Sequence, residues 1–256
     1  MQKGEADLVI GDGRALEAHP LRAAVLRELH ARPFVPARAP RRMLHAAFLL
    51  DAAAAQADRA AVARLCTARG LPAPAPGAKY HHVSFGGAEL RWESHAEFCT
   101  YTWDLPSPGI PLGGMPFQPP ATTLASPFGE VPQPGPLLVA VDLHLVPDTA
   151  EDLFLEQVFD RSSLARADVN DGFAEIATDF MADPSGFVRI LVRNRGLGAD
   201  AAGALVQRLL EIETYRTLAL LGLPEAQRLS PEVARIDARL AAAAGEMTCA
   251  EGLSDN

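Results

Sequence analysis

Fifteen of the 32 residues between 105 and 136 are proline or glycine, and that density limits everything around it. Each proline removes a backbone donor, and each glycine adds freedom that ordering must remove. The stretch therefore has no regular element of its own. Met115, Phe117 and Phe128 lie within it, which suits an insertion laid lid-like over a body; the alternative is a flexible linker between halves. Either way, the core must come from the sequence on each side.

Both sides run in a similar order. Residues 43–50 (MLHAAFLL) have the length and apolarity of a strand. An alanine-rich helix is predicted over 52–69, turning Val62, Leu65 and Cys66 inward. Strands over 80–85 and 88–98 follow, joined by Gly86-Gly87 as a hairpin. Beyond the break, 137–146 (LLVAVDLHLV) is nearly continuous in apolar residues and so a central strand. A helix over 149–159 and strands over 162–169, 173–181 and 187–193 complete that side. The expected fold class is α+β: a mixed, largely antiparallel sheet built from two βαββ-like halves and covered by helices. The corresponding division is 1–104, the insertion 105–136, a second half 137–198, a long C-terminal helical segment 199–244 and a disordered tail 245–256.

The longest helical signal is residues 205–223, with Leu205, Leu209, Ile212, Ala219 and Leu223 on one stripe, followed directly by Pro224. Ser230-Pro231-Glu232 then reads as a fresh helix start, serine capping and proline in the first turn. Leu229, Val233, Ile236 and Leu240 keep a four-three-four heptad seam. Near the N-terminus, His19-Pro20 opens another helix that Pro33 and Pro36 end.

At 256 residues the chain buries roughly three-quarters of its unfolded surface, so folding needs neither metal nor disulfide. A net charge of −9 argues against nucleic-acid binding, which rests on neutralising phosphates. Residues 14–42 hold seven arginines against Glu17 and Glu28, a basic patch that offers membrane-surface binding as a third reading. The three cysteines, Cys66, Cys99 and Cys249, are odd in number and widely spaced, with neither a disulfide framework nor a thiolate zinc pattern. No stretch reaches the roughly 18 apolar residues of a membrane span, and the N-terminus lacks a signal-peptide core. The expected location is the cytoplasm or the cytoplasmic face of a membrane.

Candidate chemistry gathers on the first hairpin. Glu93, His95 and Glu97 at i, i+2, i+4 project from one wet strand face, with His81 and His82 across the turn. Two carboxylates and an imidazole can serve as an acid–base set, and His81, His82 and His95 as ligands to a divalent metal. Glu28 and His30, at the exit of the first helix, form a second acid–base pair or simply serve its last carbonyls. No GxSxG, GxxxxGK[ST] or HExxH motif is present.

Three stretches carry a resemblance: HPLRAAVLRELHARPF (19–34), RWESHAEFCTYTW (91–103) and LVQRLLEIETYRTLALLGLP (205–224). With them the chain resembles the bacterial domain-of-unknown-function family 3422, described as predicted membrane-anchored proteins, over about residues 16–244. The resemblance implies a coiled-coil-like segment and a C-terminal anchor in longer relatives, and it carries no catalytic residue. Against that pattern, the expectation is that this chain, stopping at Asn256, lacks the anchor through a truncated or frame-shifted end. The expectation is a non-enzymatic interaction domain that binds a protein partner or self-associates through the C-terminal helices, with no cofactor. The alternative is a hydrolase using the His/Glu cluster, metal-dependent or not.

Overall fold

The computed structural model describes residues 34–107, 109–110, 114–121, 132–148 and 155–254, together with 8–9, 15–16, 20 and 22. Of the predicted first helix only Pro20 and Arg22 are among them, and Glu28 and His30 lie outside. The chain divides into two compact units, residues 1–209 and 210–256.

The first unit holds a short antiparallel pair, β1 (Leu8–Val9) with β2 (Ala15–Leu16), and one eight-stranded sheet. The elements of the sheet half before the break are β3 (Arg41–Leu49), α1 (Ala52–Ala68), β4 (Tyr80–Phe85), β5 (Ala88–Ser94) and β6 (Phe98–Pro106). After it come β7 (Leu137–Pro147), α2 (Leu155–Val158), β8 (Ala165–Val169), β9 (Ala174–Ala182) and β10 (Val188–Asn194). The order across the sheet is β4-β5-β6-β3-β7-β10-β9-β8. Only β7 and β10 run parallel; every other neighbouring pair is antiparallel. The α+β class and the central place of β7 are as expected.

Each half is βαβββ rather than βαββ. In both, three meandering strands follow the helix, and the last returns beside the first: β6 beside β3, β10 beside β7. The spatial order matches, but the direction does not, since β6 opposes β3 while β10 runs with β7. The strand predicted over 88–98 is in fact two. It ends at Ser94, the chain turns over 95–97 with His95 N donating to Phe98 O at 2.8 Å, and β6 begins at Phe98. The turn shifts the side-chain parity. Trp92 shares its face with Cys99, Tyr101 and Trp103, while Phe98 points to the other side. An alternating pattern read straight through a three-residue turn conceals this change.

α1 packs on the face formed by Leu44, Ala46, Phe48, Val83, Phe85, Leu90, Trp92, Cys99, Tyr101 and Trp103. Asp51 starts the helix, its side chain accepting from Ala54 N at 2.8 Å, and Val62 and Cys66 are fully buried. Each large side chain removed from water here contributes about 1.5–3 kcal/mol. Because α1 is mostly alanine, a polar knot adds what its short side chains cannot. Asp58 accepts from Trp92 Nε1 at 2.8 Å and from the Tyr101 hydroxyl, all three buried. Burial and the neighbouring Asp58 carboxylate push the Tyr101 phenol and the Cys99 thiol up.

α3 (Ala199–Leu220) begins in the first unit. Its residues 199–209 cover the opposite face, burying Ala202, Leu205 and Val206. Ala37 N donates to Ala199 O at 2.9 Å, and a Cβ added at Gly203 would sit 2.2 Å from Val35 O. Glycine is what lets the helix pass so close to residues 35–37.

The second unit contains the end of α3 and α4 (Leu223–Ser254). The break falls at residues 221–222, which places Pro224 in the first turn of α4, where its missing N–H costs nothing. Pro231 does not restart a helix as expected: α4 runs through it and on past Ala244 to Ser254. Among the described residues, no helix is long and apolar enough to cross a membrane.

Candidate functional site

Glu93 and His95 do not stand on a wet face, whereas His82 and Glu97 are exposed. Glu93 is 6% exposed, lying 3.4 Å from Arg91 Nε and 3.6 Å from His95 Nε2. His95 stacks on Phe98 with ring centres 3.9 Å apart. Beside them His45 Nδ1 lies 2.8 Å from Thr102 Oγ1, and Arg91 Nη1 donates to Gln207 Oε1 of α3 at 3.4 Å. Burial, then the Arg91 charge, lowers the His45 imidazole to about 3. These groups form a polar layer between sheet and helix. The cavity next to them, bounded by Val35, Met43, His82, Arg91 and Gly203, holds about 30 Å³, room for water rather than a substrate.

The other candidates scatter. His82 pairs with Glu89 at 3.3 Å on the α3 side. His81, its neighbour on β4, points to the α1 side, where its Nε2 lies 2.9 Å from Pro72 O and 3.7 Å from Cys66 Sγ. Glu97 is exposed in the turn. The alternation of a strand forces consecutive histidines apart. Among the described residues, no group of three His, Cys, Asp or Glu side chains is placed to hold a metal ion.

A second buried polar group lies where the sequence reading places only apolar core. Arg42 on β3 forms a two-pronged ion pair with Asp142 on β7, Nε to Oδ1 at 2.9 Å and Nη2 to Oδ2 at 2.5 Å. Its Nη1 donates to Pro119 O at 2.8 Å, tying the proline-rich segment to the sheet. His144 lies two residues along β7 on the same face, its Nε2 3.5 Å from Asp142 Oδ1 and its ring against Phe117. Burial, with the Arg42 charge adding to it, lowers His144 to about 3. A cavity of about 360 Å³ opens beside this group, lined mainly by Leu105, Pro106, Ile110, Met115 and Pro119. The signal in the sequence is Asp142 and His144 at i, i+2 inside an otherwise apolar strand.

The remaining feature is α4. Every described side chain from residue 223 to 243 is exposed. Leu229 is 38% exposed, Val233 53%, Ile236 48% and Leu240 63%. At 100° per residue these four fall within an arc of about 60°. Pro231 lies on the far side of the helix. Flanking the stripe are Glu225 and Glu232 on one side with Arg239, and Ser230 and Asp237 on the other. Glu225 and Glu232 also reach Arg228 and Arg235 one turn on, at 2.6 and 3.5 Å. Exposed pairs of this kind add a few tenths of a kcal/mol each to helicity. They do not account for an apolar seam left in water.

The family model described as "Protein of unknown function (DUF3422)" matches residues 17–256. Neither the curated proteins nor the solved structures contain a match.

Proposed function

The chain belongs to the DUF3422 family of proteins of unknown function, and we propose that it is an interaction module presenting α4 to another protein helix. The observation that supports this is the exposed four-three-four seam of Leu229, Val233, Ile236 and Leu240. Most helical stability in proteins comes from packing an amphipathic face rather than from propensity. In this 32-residue helix every described side chain, from residue 223 to 243, is exposed, so among the described residues the seam is left without such packing. A partner helix laid along the seam supplies it by knobs-into-holes contact. The eight-stranded sheet is then the stable body that carries the helix. This reading makes the work of the protein contact rather than catalysis, in the cytoplasm or at the cytoplasmic face of a membrane.

Hydrogen exchange tests the reading. Amides of residues 226–243 are expected to gain protection as chain concentration rises or as its partner is added, and Ile236→Glu is expected to remove that gain while leaving the sheet amides unchanged. Protection that is independent of both concentration and the Ile236 substitution would contradict it.

A further inference from the structure

We propose that the occupant of the α4 seam is a second copy of this chain, docked antiparallel; the inference rests on reading α4 as an interaction helix. Two observations set the orientation. In heptad terms Leu229 and Ile236 take d positions, and Val233 and Leu240 take a positions. A parallel dimer stacks like on like and prefers β-branched residues at a with leucine at d. Here Leu240 occupies an a position and Ile236 a d position, the reverse of that preference in half of the layers. An antiparallel pair instead forms mixed layers, Leu229 with Leu240 and Val233 with Ile236 of the second copy. Each of the four seam residues then finds a partner, and the four layers close symmetrically about a point between residues 234 and 235.

Charge decides the same way. A parallel dimer brings a g residue beside the e residue five positions on in its neighbour, so Glu232 meets Asp237 twice, carboxylate against carboxylate. The antiparallel dimer brings g beside g, so Glu232 meets Arg239 and Arg239 meets Glu232, giving two attractive pairs. On the other flank, Ser230 meets Asp237, hydroxyl against carboxylate. All of these side chains are exposed in the single chain, so none must be taken from a buried partner to serve the interface.

Sedimentation equilibrium of the full chain and its variants tests both levels. The wild type is expected to dimerise, and Val233→Glu to weaken the dimer by more than about a hundredfold by burying two carboxylates. Glu232→Arg sets a second guanidinium against Arg239 and weakens the dimer on the order of tenfold, and adding Arg239→Glu restores it. Circular dichroism controls for helicity, which these exposed substitutions leave intact. If Val233→Glu abolishes the dimer but Glu232→Arg tightens it, the new arginine faces Asp237. The helices then run parallel, and the antiparallel inference falls while the interaction reading stands. A wild type that stays monomeric overturns the second-copy inference and leaves the interaction reading to the hydrogen-exchange test with a partner, whereas a dimer that survives Val233→Glu does not use the seam and overturns both.

Discussion

Removing the carboxylate of Asp58 should cost the first unit about 3 kcal/mol. Asp58 is 2% exposed and accepts from two buried donors, Trp92 Nε1 at 2.8 Å and the Tyr101 hydroxyl. Asp58→Ala leaves both donors without an acceptor, at about 1–3 kcal/mol each. Against this, alanine gains a few tenths of a kcal/mol in helix propensity, and a buried charge no longer has to be desolvated. Tyr101→Phe removes one donor and should cost about 1.5–3 kcal/mol, the range for a hydrogen bond to a charged group. In the Tyr101→Phe background Asp58→Ala orphans only Trp92. The two changes should therefore couple by at least about 1 kcal/mol in a double-mutant cycle. Urea unfolding followed by tryptophan fluorescence reads the right unit, since both tryptophans, Trp92 and Trp103, are buried in its core. A loss below about 1 kcal/mol for Asp58→Ala, or strict additivity with Tyr101→Phe, would refute the idea that this knot holds α1 to the sheet.

Two further outcomes follow from the buried charges. Arg42→Met should destabilise by about 3–5 kcal/mol by stranding Asp142, whereas Arg42→Met with Asp142→Leu should recover most of it, because a buried pair replaced whole by apolar groups is close to neutral; thermal unfolding of the two variants checks this. Acid should destabilise the chain well above the carboxylate range. His45 and His144 are both held near 3 by burial, so below about pH 6.5 the unfolded chain takes up protons that the native one refuses. Stability is complete above that pH and falls as pH drops, by about 2 kcal/mol per histidine at about pH 5. His144→Gln should reduce the difference in unfolding free energy between about pH 7 and pH 5 by about 2 kcal/mol, and an unchanged difference would contradict the lowered value.

The central strands are legible because burial on both faces leaves little choice of residue: β3 and β7 are nearly continuous apolar runs, and such runs lie in the middle of a sheet. Helix α1 is legible from its cap at Asp51 and its stop at Gly70. The turn at residues 95–97 is not, because it lacks glycine and proline and preserves the look of alternation. What betrays it is the renewed pattern of Cys99, Tyr101 and Trp103 between Thr100 and Thr102. The polar face of β5 reads as wet because nothing local says that residues 199–209, a hundred positions away, will cover it. Long-range partners such as Arg42 and Asp142, or Asp58 and Tyr101, are likewise set by strand order rather than by neighbours in the sequence. The seam of α4 is plain from spacing alone, since Leu229, Val233, Ile236 and Leu240 keep an undisturbed four-three-four interval. Its continuity through Pro231 is not, because a proline opposite the seam gives up one backbone bond without disturbing the apolar face.

Disulfide trapping of the full chain addresses the seam most directly. In a Cys249→Ser background, chains carrying Leu229→Cys and chains carrying Leu240→Cys are oxidised separately and then as a mixture. Mixed a–d′ layers place residue 229 beside residue 240 of the second copy, so covalent dimers should form in the mixture and not in either sample alone. Covalent dimers of the Leu229→Cys chain with itself would show the two helices side by side in the same direction and contradict the account.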